Sequence, residues 1–204
     1  MDLIVTACRT LANRPRLRLL RAIYAEPGRT VNAAAEAVKL TPNLASRHLT
    51  LLDNLHFIQA VPSGREVQLR PALASHTSQV FLRAMLKLLQ DTLGPAGAPP
   101  ETACDWRTRE DELMHLFTTY THLRRLLLLR KLAGANACTT AELSAAVGMS
   151  DLATARHLDK LLRRGVVSVT GTAPPTWRLA QGVRPALRRR LLTAVLHAIN
   201  AEKA

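Results

Sequence analysis

Two Arg-His-Leu triplets, Arg47-His48-Leu49 and Arg156-His157-Leu158, stand 109 residues apart in the chain. An arginine fork can donate paired hydrogen bonds to the O6 and N7 edge of a guanine, or clamp a phosphate. The histidine beside it is suited to a phosphate oxygen or a main-chain group. Around the first triplet lie Thr41, Asn43, Ala45 and Ser46; the amide of Asn43 matches an adenine edge. Around the second lie Ser150, Asp151, Thr154, Ala155 and Lys160. Arg65, in Ser63-Gly64-Arg65, adds a cation that would meet a phosphate or enter a minor groove. This is the chemistry of recognition, not of bond making. The sequence holds no phosphate-cradling glycine loop, no His-Glu-x-x-His and no nucleophile elbow, so an enzyme is not expected.

The spacing of the triplets belongs to a longer self-match. Displaced by 109 without a gap, 13 of the 49 positions from Thr10 to Ile58 are identical, where unrelated segments would share a few. Arg16-Leu17 meets Arg125-Leu126, Leu19-Leu20-Arg21 meets Leu128-Leu129-Arg130, and Thr30, Val38 and Leu52 meet Thr139, Val147 and Leu161. A fixed-period match of this kind predicts two copies of one module.

The elements that must carry the triplets follow from apolar spacing. Leu17, Leu19, Leu20 and Ile23 make 15–25 an amphipathic helix, with Pro15 in its first turn and Glu26-Pro27-Gly28 ending it. Ala33 to Val38 reads as a short helix, and Thr41-Pro42 opens a third one that carries the first triplet. Two alternating runs, 57–61 and 66–69, flank Gly64 and predict a hairpin. In the second copy the corresponding segments are Leu126–Leu132, a short helix capped by Thr139 or Thr140, a turn at Gly148, and a helix from Leu152 to Arg164 capped by Ser150 and ended by Gly165. A hairpin of 166–170 and 177–179 follows. A longer helix closes each copy, over 73–93 and 185–201, and a helix before each is expected over 2–11 and 110–121. The acidic run Glu110-Asp111-Glu112 would form the first turn of the latter.

The expected fold class is therefore mainly α with small β-hairpin wings: two tandem winged helix-turn-helix domains. The first would span 1–93 and the second 106–204, joined by a stiff, proline-bearing linker over 94–105.

Three segments of the first copy resemble the ArsR type of winged helix. Thr10-Leu11-Ala12-Asn13-Arg14-Pro15-Arg16-Leu17-Arg18-Leu19-Leu20 is similar to its opening, Ser46-Arg47-His48-Leu49-Thr50-Leu51-Leu52 to its recognition helix, and Ser63-Gly64-Arg65-Glu66-Val67 to its wing. The second copy resembles it less, chiefly over 138–168. The resemblance implies a transcriptional regulator that binds operator DNA, commonly as a dimer. It departs from the metal-sensing members: Val31 to Glu36 has no Cys-x-Cys, and His76 and His197 stand alone on the closing helices. No metal and no cofactor are expected.

Bulk composition agrees with a polyanionic partner. The chain has 28 Lys and Arg against 15 Asp and Glu, a net charge of +13, and both halves share the excess. Three scattered cysteines, Cys8, Cys104 and Cys138, speak against a disulfide framework. With no long apolar run there is no membrane segment to expect, and a cytoplasmic, nucleoid-associated protein is the reading. Double-stranded DNA is the expected partner, with either a homodimer or an intrachain pseudo-dimer presenting the readers. In the second copy Asp151 sets a negative charge at the helix start and the wing 172–175 has no cation at its tip, so that copy is either a weaker reader or a partner-binding one. The alternative for the whole chain is a tandem winged-helix adaptor or chromosome-associated subunit that binds proteins.

Overall fold

The computed structural model describes residues 1–94, 106–171 and 173–201. It is mainly helical with small antiparallel sheets, the make-up of a winged helix-turn-helix. After α1 (Asp2–Leu11) come α2 (Arg14–Ala25), β1 (Arg29–Thr30), α3 (Val31–Ala37), α4 (Pro42–Asn54), β2 (Ile58–Ser63), β3 (Glu66–Pro71) and α5 (Val80–Leu93). The order then recurs: α6 (Trp106–Thr118), α7 (Leu123–Ala133), β4 (Cys138–Thr139), α8 (Thr140–Val147), α9 (Asp151–Arg163), β5 (Val167–Thr170), β6 (Thr176–Leu179) and α10 (Ala186–Ala201).

Each sheet has three strands, ordered β1-β3-β2 and β4-β6-β5. The registers correspond: Arg29 faces Leu69 as Cys138 faces Trp177, and Ile58 faces Pro71 as Val167 faces Leu179. The first hairpin turns in two residues, Gly64 and Arg65. Gly64 has φ +63, which suits the first central position of the primed turn that follows the strands' twist. The second hairpin has a longer turn between Thr170 and Thr176.

The described chain divides into two compact units, Arg9–Met114, and Met1–Cys8 together with His115–Ala204. These boundaries fall inside α1 and α6, not at the expected linker, most of which (95–105, with Cys104) lies outside the described residues. Both helices bury apolar side chains along much of their length, Ile4, Val5, Ala7, Cys8 and Leu11 on α1 and Leu113, Leu116 and Phe117 on α6.

In the unit Arg9–Met114, α2 supplies the centre of the core with Leu17, Leu19, Leu20, Ile23 and Tyr24; α4 adds Ala45, Leu49 and Leu52, and the wing adds Ile58 and Leu69. Each buried leucine contributes about 1.5–3 kcal/mol relative to exposure. In the other unit Leu126, Leu128, Leu129 and Leu132 of α7 meet the same need, joined by Leu158 and Leu161 of α9 and Leu191, Val195 and Ile199 of α10.

Three expectations change here. The closing helix of the first set begins at Val80 and not near 73: a short 3₁₀ turn, Ala74–His76, precedes it. Helix α6 begins at Trp106, so Glu110 to Glu112 are not its first turn. Glu110 is in fact buried, 1% exposed, with Arg14 and Arg18 donating to its carboxylate at 3.2 and 2.8 Å. The two-residue strands β1 and β4 complete sheets that were expected to be hairpins.

Candidate nucleic-acid interface

Helices α3 and α4, and again α8 and α9, follow one another across a short turn, and their starts show how the sequence sets them. Thr30 and Thr139 occupy N-cap positions and accept from the backbone N–H of Ala33 and Glu142. Glu142 reaches back to the Thr139 N–H at 2.7 Å, closing a capping box. The turn between the paired helices needs a left-handed residue. Gly148 supplies it at φ +65, whereas the first set uses Lys39 at φ +57. Ser150 caps α9 through Ala153 N–H at 3.3 Å. Thr41 holds the equivalent position, but its side chain makes no capping bond and is exposed.

On α4, Asn43, Ser46 and Arg47 are exposed and His48 is half-buried. On α9, Arg156 and Lys160 are exposed, His157 is half-buried and Ser150 is exposed at the cap. These are the residues that the fold places along the outer face of each helix. Arg65 is exposed at the tip of the first wing. Two expected contacts are corrected. Ala45 and Thr154, at equivalent positions, are both fully buried. They share the inward face with Leu49 and Leu52, and with Leu158 and Leu161, at the i, i+4, i+7 spacing of a helix.

Asp151 stands exposed in the first turn of α9. Its carboxylate accepts from the hydroxyl of Ser144 on α8, so the acid ties the two helices of the motif together. The first set has Pro42 and Ala35 at the corresponding places. Leu152 stands where the first set has Asn43, and is 64% exposed. Thr172, in the second wing tip, lies outside the described residues.

Charge crowds the second half of α9. Arg163 is bonded to Asp159 one turn back. Burial, then Arg125, Arg164 and Arg163, hold the Lys160 ammonium below its ordinary range. His157 is likewise pushed down by burial, with His122, Arg125, Arg124 and Lys160 adding to it, and its ring lies 4.7 Å from that of His122. His48 is depressed by burial and by Arg16. Both histidines are therefore biased toward the neutral form, in which one ring nitrogen donates and the other accepts.

Among the described residues no group of three or more His, Cys, Asp or Glu is placed to hold a metal ion, and no helix is long and apolar enough to cross a membrane. Cys8 and Cys138 are buried free thiols, and burial pushes Cys8 well above the usual thiol range.

What reasoning from the sequence missed is the burial of Arg125, which exposes 5% of its surface. Its duplicate, Arg16, is only half-buried and donates to the carbonyls of Thr10 and Arg9. Arginine is so seldom buried that residue type alone gave no sign of it.

Comparison with known proteins adds one positive finding. No curated protein matches the chain, and no solved structure does. Residues 122–169 match the family model of the bacterial regulatory protein, arsR family, a match that runs from the N-cap of α7 through α8 and α9 into β5. That segment is therefore similar to the helix-turn-helix domain of this family of bacterial regulatory proteins.

Proposed function

We propose that the chain is a sequence-specific, double-stranded DNA-binding transcriptional regulator. It carries two winged helix-turn-helix modules, over 1–93 and 106–204, joined through 94–105, and α4 and α9 enter major grooves. Thr41, Asn43, Ser46, Arg47, His48 and the wing residue Arg65 form the contact set of the first module. Ser150, Arg156, His157 and Lys160 form that of the second. Buried Ala45 and Thr154 drop out of both.

The observation that carries this reading is the equivalence of Arg47 and Arg156: the same cation, exposed at the same position of the second helix of each motif, in a chain of net charge +13. The arsR-family match at 122–169 supports it for the second motif, and the matching element order and sheet register support extending it to the first. Two readers in one chain suit an operator with two unlike half-sites, with no need for a homodimer.

Phosphate neutralisation dominates the affinity of such proteins, so binding must fall with salt. If Arg47, Arg65, Arg156 and Lys160 each neutralise one phosphate, log K against log salt has a slope of about −3.6. Fluorescence anisotropy on a labelled duplex pool at several salt concentrations measures it. Failure to bind duplex even at low salt would sink the proposal.

One observation favours a second reading for α9 alone. Exposed Leu152, in place of Asn43, offers an apolar group where a base edge would be read. A partner-binding second module would leave duplex affinity unchanged in Leu152→Ser and Arg156→Ala.

A further inference from the structure

A cleft recurs at the same place in both units, and one copy is far richer in charge. In the unit Arg9–Met114 a cavity of about 500 Å³ lies between the ends of α2 and α3, with the start of α6 as a further wall. In the other unit a cavity of about 330 Å³ lies between α7 and α8. Each residue lining this second cavity stands 109 positions after one that lines the first. Small residues open both: Ala25 and Ala37 in one, Gly134 and Ala146 in the other. The cleft is thus a property of the repeated frame, and its chemistry lies in what differs between the copies.

The difference is charge and an aromatic ring. Arg18 lines the first cavity where the duplicate has Leu127, and Arg29 and Lys39 line it where the duplicate has Cys138 and Gly148. Lys39 does so at φ +57, a backbone conformation that favours glycine. A lysine held there at a conformational cost, and lining a cavity, points to a use for its ammonium group. Not every lining charge is open to a ligand. The Glu110 carboxylate accepts from Arg14 and Arg18 through both oxygens, and Arg29 is bonded to Glu26. Arg21 and Lys39, by contrast, are exposed and have no acidic partner among the described residues. The Arg21 guanidinium stands 4.5 Å from the centroid of the half-buried Trp106 ring, also on the cavity wall. Such a contact steadies the planar fork and leaves its N–H edges free to meet a carboxylate.

We propose that this cleft of the first unit binds a small aromatic carboxylate. The carboxylate is held by Arg21 and Lys39, and the ring lies against Trp106 and the apolar floor of Ala22, Ala25, Ala37 and Val38. The volume lies in the range of small-molecule sites. A phosphate ion would use the cations and leave the apolar floor in water, whereas an aromatic carboxylate uses both. The site stands independently of the preceding proposal. Lys39 belongs to the turn that leads into α4, so an occupied cleft touches the approach to the helix which that proposal places on DNA.

The test titrates naphthoate into the full chain without DNA, at fixed ionic strength, and reads the heat of binding. One saturable site is expected, with acetate and inorganic phosphate at least about tenfold weaker. Phosphate bound as tightly as naphthoate would make the cleft a general anion site and overturn the proposal, as would the absence of saturable naphthoate binding. Arg21→Gln should weaken naphthoate about tenfold or more, since a charge-assisted contact is lost. Trp106→Leu should weaken it about fivefold. Lys39→Gly should also weaken it about fivefold while melting no lower than the parent, a pairing that a merely structural lysine would not give. Unchanged affinity in both Arg21→Gln and Lys39→Gly would refute the site. Arg130→Gln, in the duplicate cleft, should bind as the parent does; a tenfold loss there would overturn the assignment to the first cleft.

Discussion

The helix pairs α3–α4 and α8–α9 follow one element order with different residues at its difficult points. At the turn before α4 the first set holds Lys39 at φ +57, and before α9 the second holds Gly148 at φ +65. After these helices the first set has His56 at φ +55 and the second Gly165 at φ +65. Only glycine takes this region without steric cost. The second set also caps α9 with Ser150 and ties α8 to α9 through Ser144 and Asp151, whereas Thr41 leaves α4 without a side-chain cap. The first set has exposed, polar Asn43 and a charged, two-residue hairpin turn at Arg65. The second replaces them with Leu152 and a longer turn. Local conformational ease and exposed polar groups are thus distributed unequally: the second segment has the more comfortable frame, the first the surface better suited to the proposed reading of DNA.

The largest expected effect tests the surface side of this contrast. Arg47→Ala should weaken duplex binding by about 1–3 kcal/mol, roughly tenfold to a hundredfold, when read by anisotropy at one fixed salt concentration. An equal loss for Arg156→Ala would make the two surfaces equivalent and break the contrast; a much smaller loss would sharpen it. Next come the caps. Ser150→Ala should cost about 1 kcal/mol in chemical denaturation, and Thr41→Ala only a few tenths, since no capping bond is lost there. The smallest effect belongs to the turns. Lys39→Gly should stabilise by up to about 1 kcal/mol, offset in part by the added freedom of the unfolded chain, and Gly148→Lys should destabilise by a similar amount. Loss of stability in Lys39→Gly would show that the lysine side chain, and not the backbone, decides that position.

Much of this frame was legible from residue spacing. The apolar positions of α2, α4 and α7 to α10 follow the helical period, and the Thr139 and Ser150 caps and the Gly148 turn stand where residue type put them. The short strands β1 and β4 were not legible, because two residues carry no period. Ala45 and Thr154 were placed outward because small and hydroxyl-bearing types do not announce burial, although their spacing to Leu49 and Leu158 does. Glu110 and Arg125 were hidden for the opposite reason: charged residues are read as surface, and only tertiary packing reveals which are enclosed. The likeness to the ArsR type rested mainly on short strings in the first set, whereas the family model matches the second, over 122–169.

Pro62 has a consequence of a different kind. It lies on β2, an outer strand of the first sheet, opposite Val67 and one step before the pair Ser63–Glu66 that closes the hairpin. Residues at alternate positions of such a strand turn their N–H groups away from the partner strand. The pair next to a two-residue turn is bonded, so the Pro62 nitrogen belongs to the outward set and its missing hydrogen costs the sheet nothing. It does remove a donor from the free rim. An extended segment of another chain that tried to lengthen the sheet along β2 would find its hydrogen-bond ladder interrupted and a ring in its way. With Val61 and Val67 exposed on the same wing, Pro62 makes that edge a poorer template for a further strand.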